Sequence, residues 1–312
     1  MNVLVTGGAG YIGSHTVREL LGRGHEVVIL DLDPVEPGGP IAEATAVVGD
    51  VADTALVTRL LRDHAIDGVI HFAGRKFVAE SMRDPGRYFR VNVAGSLSVL
   101  DAMVAAGTPL IVFSSSCTVY GTPDTNPVTE DMPLRPENPY GTSKQMVEQT
   151  LRWYGEVHGI RSLSLRYFNA AGASFDAALG EHFDKTMMLI PMLMQVTLGL
   201  RGPVDIYGTD YPTPDGTAIR DYTHVVDLVD AHIRALDLAG RSDGALALNL
   251  GTGVGSSVRE VIAQVEQVSA REVPVHWADR RPGDAVAVWA DPGSTRRLLG
   301  WGAEHDLRAM VE

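Results

Sequence analysis

The chain is short of several things at once, and each shortage excludes something. Its 312 residues include one cysteine, Cys117, so an internal disulfide is impossible, and the Cys/His spacings of a metal site are missing. No stretch approaches the ~18 consecutive apolar residues of a membrane span. The opening segment, residues 1–6, carries neither a basic region nor a small-residue cleavage site. These absences point away from a metal, a membrane partner and secretion, and toward the reducing cytoplasm. Positive charge is also scarce: 26 Lys and Arg stand against 39 Asp and Glu, a net charge of -13, which repels phosphate backbones and makes nucleic acid a poor partner. Lysine occurs only at positions 76, 144 and 185, so a lysine inside a motif is seldom a coincidence.

Glycine, by contrast, is plentiful at 33 residues, and short Val- and Ile-rich runs alternate with helical periodicity through the first half. That alternation predicts an α/β fold, a doubly wound (Rossmann) parallel sheet covered on both faces. Strands are expected at 3–6, 26–30, 45–49, 68–72, 110–114 and 162–166, and helices at 11–21, 55–64, 88–106 and 142–158. After Ala171 the pattern loosens, with loops at 172–185 and 208–217, and a helix is read only from Leu307 onward. The expected division is a dinucleotide-binding domain over 1–171, with a return segment near 222–250, and a smaller α/β substrate domain over 172–312. A cleft should lie between them.

Val3 to Thr6 followed by Gly7-Gly8-Ala9-Gly10-Tyr11-Ile12-Gly13 reads as strand, turn and helix start. Gly7 permits the tight turn, Gly10 lets backbone N–H groups approach a pyrophosphate, and Gly13 allows close helix–strand packing. The spacing, Gly-x-x-Gly-x-x-Gly, points to the short-chain dehydrogenase/reductase variant of this loop. Asp31 closes the second strand 18 residues after Gly13, where a carboxylate accepts ribose hydroxyls and repels a 2′-phosphate, so NAD is expected rather than NADP. Asp50-Val51 and Phe72-Ala73-Gly74 end the third and fourth strands, at the edge where ligands bind.

Downstream, Ser114-Ser115-Ser116 follows a strand, and Tyr140 stands four residues before Lys144 in a helical stretch, so the two share one helix face. An ammonium beside a phenol, in a dry cleft with an oxidised nicotinamide, could lower the tyrosine pKa by ~3 units and make it a usable base. Ser116 would donate or relay a hydrogen bond to the same substrate hydroxyl.

With the glycine loop, the serine run and the Tyr140/Lys144 pair together, the chain resembles the extended short-chain dehydrogenases, and within them the UDP-glucose 4-epimerase (UDP-galactose 4-epimerase) family. Matching stretches include residues 5–16, 69–74, 113–121, 166–169, 215–217, 220–222, 249–253 and 280–284. The resemblance implies that Ser116, Tyr140 and Lys144 are catalytic. It places NAD against Gly7, Gly10, Tyr11, Ile12, Gly13, Asp31, Asp50, Val51, Phe72, Ala73, Gly74, Lys76, Asn92, Ser114, Tyr140, Lys144 and Tyr167. A UDP-sugar would be held by Ser116, Tyr140, Asn169, Leu189, Tyr207, Arg220, Tyr222, Arg281, Asp284 and Val288. Guanidiniums in an acidic chain suit a diphosphate. The expected reaction is epimerisation at C4 through a transient 4-keto sugar, and a homodimer paired through 88–106 and 142–158 is the implied assembly, although burial on the sheet suits those stretches equally.

Two departures from the family pattern stand out. Met188 takes the place of a polar residue expected near the diphosphate, and Val288 that of a bulky tyrosine beside the sugar 2-position, leaving room for N-acetylated sugars. Two rival functions are weighed against the epimerase. A nucleotide-sugar 4,6-dehydratase or decarboxylase would carry carboxylates where this chain has Cys117-Thr118. A silent NAD-sensing regulator would have no need of the tyrosine and lysine.

Overall fold

Val3, Leu4 and Val5 are all completely buried, as a strand covered by helices on both faces requires. They belong to β1 (Asn2–Thr6), which leads into α1 (Tyr11–Gly22), β2 (Glu26–Asp31), β3 (Thr45–Val48), α2 (Thr54–Asp63) and β4 (Gly68–His71). Next come α3 (Val78–Ser81), α4 (Pro85–Tyr88), a π-helical stretch (Phe89–Ala94), α5 (Gly95–Ala106), β5 (Leu110–Ser116), a 3-10 turn (Cys117–Val119), α6 (Pro139–His158), β6 (Arg161–Tyr167) and β7 (Asn169–Ala171). The second half holds α7 (Leu189–Thr197), β8 (Val204–Tyr207), β9 (Ile219–His224), α8 (Val225–Arg241), β10 (Ala245–Leu250) and β11 (Gly255–Ser257). It closes with α9 (Val258–Ser269), β12 (Val275–Ala278), β13 (Ala287–Val288), α10 (Gly293–Leu299) and α11 (Leu307–Val311). The structure, a computed structural model, describes residues 1–182 and 186–312.

Seven strands form one parallel sheet in the order β10-β6-β5-β4-β1-β2-β3. Strand period two splits its side chains between two cores. Val3 and Val5 join Val17 and Leu20 of α1 and Leu228 of α8, while Leu4 joins Leu60 of α2, Leu100 of α5 and Val147 of α6. Each such side chain contributes roughly 1.5–3 kcal/mol on burial. By length and composition the helical run Pro85–Ala106 could cross a membrane. Here it lies on the sheet, with Val99, Leu100, Ala102 and Met103 wholly buried.

The second half is more regular than its sequence suggested. Strands and helices continue to α11, although strict alternation fails as expected, with β8 and β9, β10 and β11, and β12 and β13 in succession; the strands are short and mostly half-buried, so no long apolar run announces them. A third core gathers Ile190, Leu193, Val204, Tyr222, Val261 and Val265. The loops at 172–182 and 208–217 are irregular as expected, residues 183–185 lying outside the described residues. Asp221, fully buried in β9, accepts hydrogen bonds from the N–H groups of Thr252 (2.9 Å), Gly253 (3.1 Å) and Ala290 (3.2 Å). A Cβ on Gly251 would come within 2.4 Å of that carboxylate, so only glycine allows the approach. The staple fixes β9, and with it Arg220 and Tyr222 on either side.

Candidate active site

The glycine turn is built by exclusion. Gly7 has φ +73°, and a Cβ there would sit 2.7 Å from Ala73 N. A Cβ on Gly13 would approach Gly7 O to 2.1 Å. Gly10 caps α1 with no side-chain hydrogen bond and with no acidic residue in the first turn, leaving the helix N-terminus to an anion. Ile12 and Phe72 pack at the edge of the core below. Asp31 Oδ2 accepts the Ala9 N–H at 2.9 Å, which ties the end of β2 to the glycine turn. Asp50 caps its own turn at Ala52 N, and Val51 is buried beside it. A Cβ on Gly74 would lie 3.1 Å from Asn92 Oδ1 and 3.8 Å from Lys144 Nζ, so glycine keeps open the space between them. Asn92 is set there by the π-helical stretch and held by Arg75 and Ser143. Uncapped N–H groups, a cradle without Cβ atoms and a carboxylate at the end of β2 fit a dinucleotide.

Lys76 extends beside the Tyr11 ring and pairs with Glu181 at 2.7 Å, and the Tyr11 hydroxyl donates to Gly172 O at 2.6 Å. Nothing in the sequence linked Glu181 to Lys76 across 105 positions.

Ser116, Tyr140 and Lys144 come together at the carboxyl end of β5. Asn138 caps α6 through Gly141 N (2.8 Å) and Pro139 opens it, so Tyr140 stands in the first turn, earlier than the expected start at 142. A Cβ on Gly141 would meet Thr118 O at 2.5 Å, so glycine lets this turn close onto the segment after Ser116. The Ser116 hydroxyl accepts from Thr118 N and Oγ1 and lies near enough to the Tyr140 phenol to favour its ionisation.

Lys144 is 4% exposed and donates to Ser114 O at 2.7 Å, with its ammonium 5.9 Å from the Tyr140 ring. Burial pushes it down to about 8, against the pull of Glu148. Burial also holds the Tyr140 phenol well above the ordinary tyrosine value, with Tyr167 adding to the effect and Ser116 opposing it. The lowering expected from the ammonium together with an oxidised nicotinamide is therefore not present in the protein alone, where desolvation dominates. Tyr167 is pushed up to about 12 by burial and hydrogen-bonds Ser114.

On the other side of this group, Arg220 acts electrostatically on Cys117, next to Ser116, and on Tyr222 and Tyr211. Its own hydrogen bonds go to Ile219 O and Ala285 O. Arg281 pairs with Asp284 at 3.0 Å and lies over Tyr207. Asn169 stands opposite Tyr222 in the β7–β9 register. Leu189 opens α7, which Met188 caps without a side-chain bond. Val288 is 3% exposed, packed with Cys117, Val119 and Phe168. Sequence reasoning missed Glu148 and Arg166, paired at 2.6 Å behind Ser116, Tyr140 and Lys144, although Glu148 stands one turn beyond Lys144. Among the described residues no cluster of His, Cys, Asp and Glu could hold a metal ion. The arrangement suits proton transfer at a hydroxyl placed between an anion-binding helix terminus and a pair of arginines.

The chain matches the model of the NAD dependent epimerase/dehydratase family over residues 3–251. It is 48% identical over 305 residues to the UDP-glucose 4-epimerase of Azospirillum brasilense, covering 97% of this chain and 88% of that one. Among solved structures, it is similar to the UDP-glucose-4-epimerase of Stenotrophomonas maltophila with bound NAD and formylated UDP-arabinopyranose (43% identity, TM-score 0.94, 100% and 96% of the two chains). It is also similar to that of Bifidobacterium longum in complex with NAD+ and UDP (41%, TM-score 0.94, 100% and 96%).

Proposed function

Because the chain belongs to the NAD dependent epimerase/dehydratase family, we propose that it interconverts UDP-glucose and UDP-galactose by inverting C4, with NAD as its cofactor. The observation that carries this reading is the convergence of Ser116, Tyr140 and Lys144 beside an uncapped helix terminus. NAD, when bound, would supply a reversible hydride acceptor for C4, so the reaction has no net oxidation.

The residues do the rest. Tyr140 takes the C4 hydroxyl proton and later gives it back to the keto oxygen, while Ser116 holds that oxygen in line. Burial opposes ionisation of the Tyr140 phenol, so the Lys144 ammonium, 5.9 Å from its ring, would together with an oxidised nicotinamide stabilise the phenolate. Gly7, Gly10 and Gly13 would admit the pyrophosphate, Asp31 would take the ribose hydroxyls, and Asn92, Lys76 and Tyr167 would hold the nicotinamide half. Arg220 and Arg281 hold the UDP diphosphate, aided by Asn169, Leu189, Tyr207, Tyr222 and Asp284. Their grip persists while the 4-keto sugar turns over, since the remote nucleotide is unchanged by the chemistry.

Three finer statements belong to the same reading. Acceptance of N-acetylated sugars rests only on Val288 being smaller than the tyrosine the resemblance places beside the sugar 2-position, since the side chain itself is buried against Cys117 and Phe168. A second copy covers the outer faces of α5 and α6, where Val104, Met146, Trp153 and Val157 are exposed. A cytoplasmic location suits a single, buried, unpaired cysteine. The test is direct: purified protein should release NAD on denaturation and interconvert the two UDP-sugars without added reductant. Protein that holds no NAD, or that needs a reductant, refutes the reading.

A further inference from the structure

Behind the catalytic residues lies a buried charge pair that the proton transfer does not use. Arg166 is 5% exposed, and its guanidinium forks onto Glu148, with Nε to Oε1 at 3.0 Å and one terminal nitrogen to Oε2 at 2.6 Å. Glu148 also accepts from the Ser115 hydroxyl. The other terminal nitrogen of Arg166 donates to the Tyr120 hydroxyl at 2.9 Å, which donates to Asn249 in β10 at 2.7 Å. A buried pair of this kind is poor evidence for stability, because desolvation offsets its attraction. Its placement is more telling. Ser115 lies between Ser114, whose carbonyl holds the Lys144 ammonium, and Ser116. Arg166 immediately precedes Tyr167, and Glu148 stands one helical turn beyond Lys144.

The surroundings of Lys144 sharpen the point. His71 from β4, Phe113 and the Ser114 carbonyl from β5, Asn92 from the π-helical stretch and Tyr140 from its own helix all face it. Burial drives His71 down to about 3, so that ring is neutral. The opposite charge acting on Lys144 comes from Glu148.

We propose that Glu148 is a positioning residue for the reaction: with Ser115 and Arg166 it forms a buried clamp that sets Lys144, Ser116 and Tyr167 in register and keeps the Lys144 ammonium charged. The role in catalysis rests on the epimerase reading, whereas the charge coupling does not. Removing the carboxylate leaves Arg166 and Lys144 as two buried cations without a counter-charge, so Lys144 loses its proton at lower pH. Removing the guanidinium leaves an unpaired carboxylate near Lys144 and has the opposite effect.

With three lysines in the chain, protein labelled at lysine Cε gives an NMR titration simple enough to follow, and Lys144→Arg identifies the signal. Glu148→Gln should lower the Lys144 midpoint and Arg166→Met should raise it, each by about one pH unit or more. In Glu148→Gln, kcat should fall about tenfold or more with KM for UDP-galactose nearly unchanged, and the alkaline limb of kcat should move with the midpoint. Midpoints that stay put, or that move the same way in both variants, overturn the coupling. Should a single variant fail to accumulate as folded protein, Ser115→Ala, which keeps both charges, decides: kcat several-fold lower at an unmoved midpoint supports the clamp, and wild-type kcat overturns it. A wild-type protein with neither NAD nor epimerase activity would instead refute the functional reading, leaving the lysine titration to judge the coupling.

Discussion

The glycine turn and the Ser116/Tyr140/Lys144 group lie at the carboxyl edge of one sheet, yet they are built by opposite means. The turn works through side chains it does not have: Cβ atoms at Gly7 and Gly13 would meet backbone at 2.7 and 2.1 Å. The proposed catalytic group would work through three side chains, each held by neighbours and each nearly or fully desolvated. One region should therefore fail when atoms are added and the other when they are removed. A single substitution in either should leave the other working.

The largest effect is expected in the second region. Tyr140→Phe removes one oxygen and should lower turnover ~10²- to 10⁴-fold while bound NAD is retained. Steady-state rates with cofactor content measured alongside check this, and wild-type turnover would remove Tyr140 from the chemistry. Next in size, Gly13→Ala adds one methyl against fixed backbone and should cost near the upper end of ~1–3 kcal/mol, with NAD occupancy lost. Thermal unfolding and the nucleotide released report it. Retained occupancy would mean that the turn relaxes more easily than its geometry implies. Asp31→Ala stands between the two types, since it deletes a side chain in the first region. It should weaken NAD by ~1.5–3 kcal/mol through lost charge-assisted hydrogen bonds, without changing kcat at saturating cofactor, as cofactor titration of stripped protein would show.

The finest distinction comes from acid. His232 sits between the Phe72 and Tyr167 rings, and burial drives it down to about 4. Its unfolded value is near 6.5. The unfolded chain therefore binds the proton first, so stability is full above that value and falls as pH drops from about 6.5 toward 4, by about 1.4 kcal/mol per unit for this one group. His232→Leu should flatten the slope of urea-unfolding free energy against pH by that amount. An unchanged slope would mean that the floor beneath Tyr167 is not dry.

Much of both regions was legible because their signals are local. The glycine spacing lies within seven residues and the Tyr140/Lys144 spacing within one helical turn, so backbone geometry alone carries them from sequence to space. The strands through β6, apart from the exposed edge strand β3, were legible for a related reason: burial on both faces demands continuous apolar runs. The second half escaped because β8, β9 and β11 to β13 are two to six residues long and mixed in polarity. Helix α6 begins three residues before its apolar periodicity does, since capping by Asn138 and Pro139 rather than periodicity sets its start.

The doubly wound sheet, the glycine turn and the Tyr140/Lys144 spacing were readable from residues close together in the chain. Packing between distant segments set the rest: burial raises the Tyr140 phenol, Lys144 bonds the Ser114 carbonyl, Lys76 meets Glu181, and Glu148 joins Ser115 to Arg166. Desolvation depends on every element packed around a group, and ion pairs across 18 or 105 positions depend on how β6 and the segment after β7 return to the sheet edge. No local pattern encodes either.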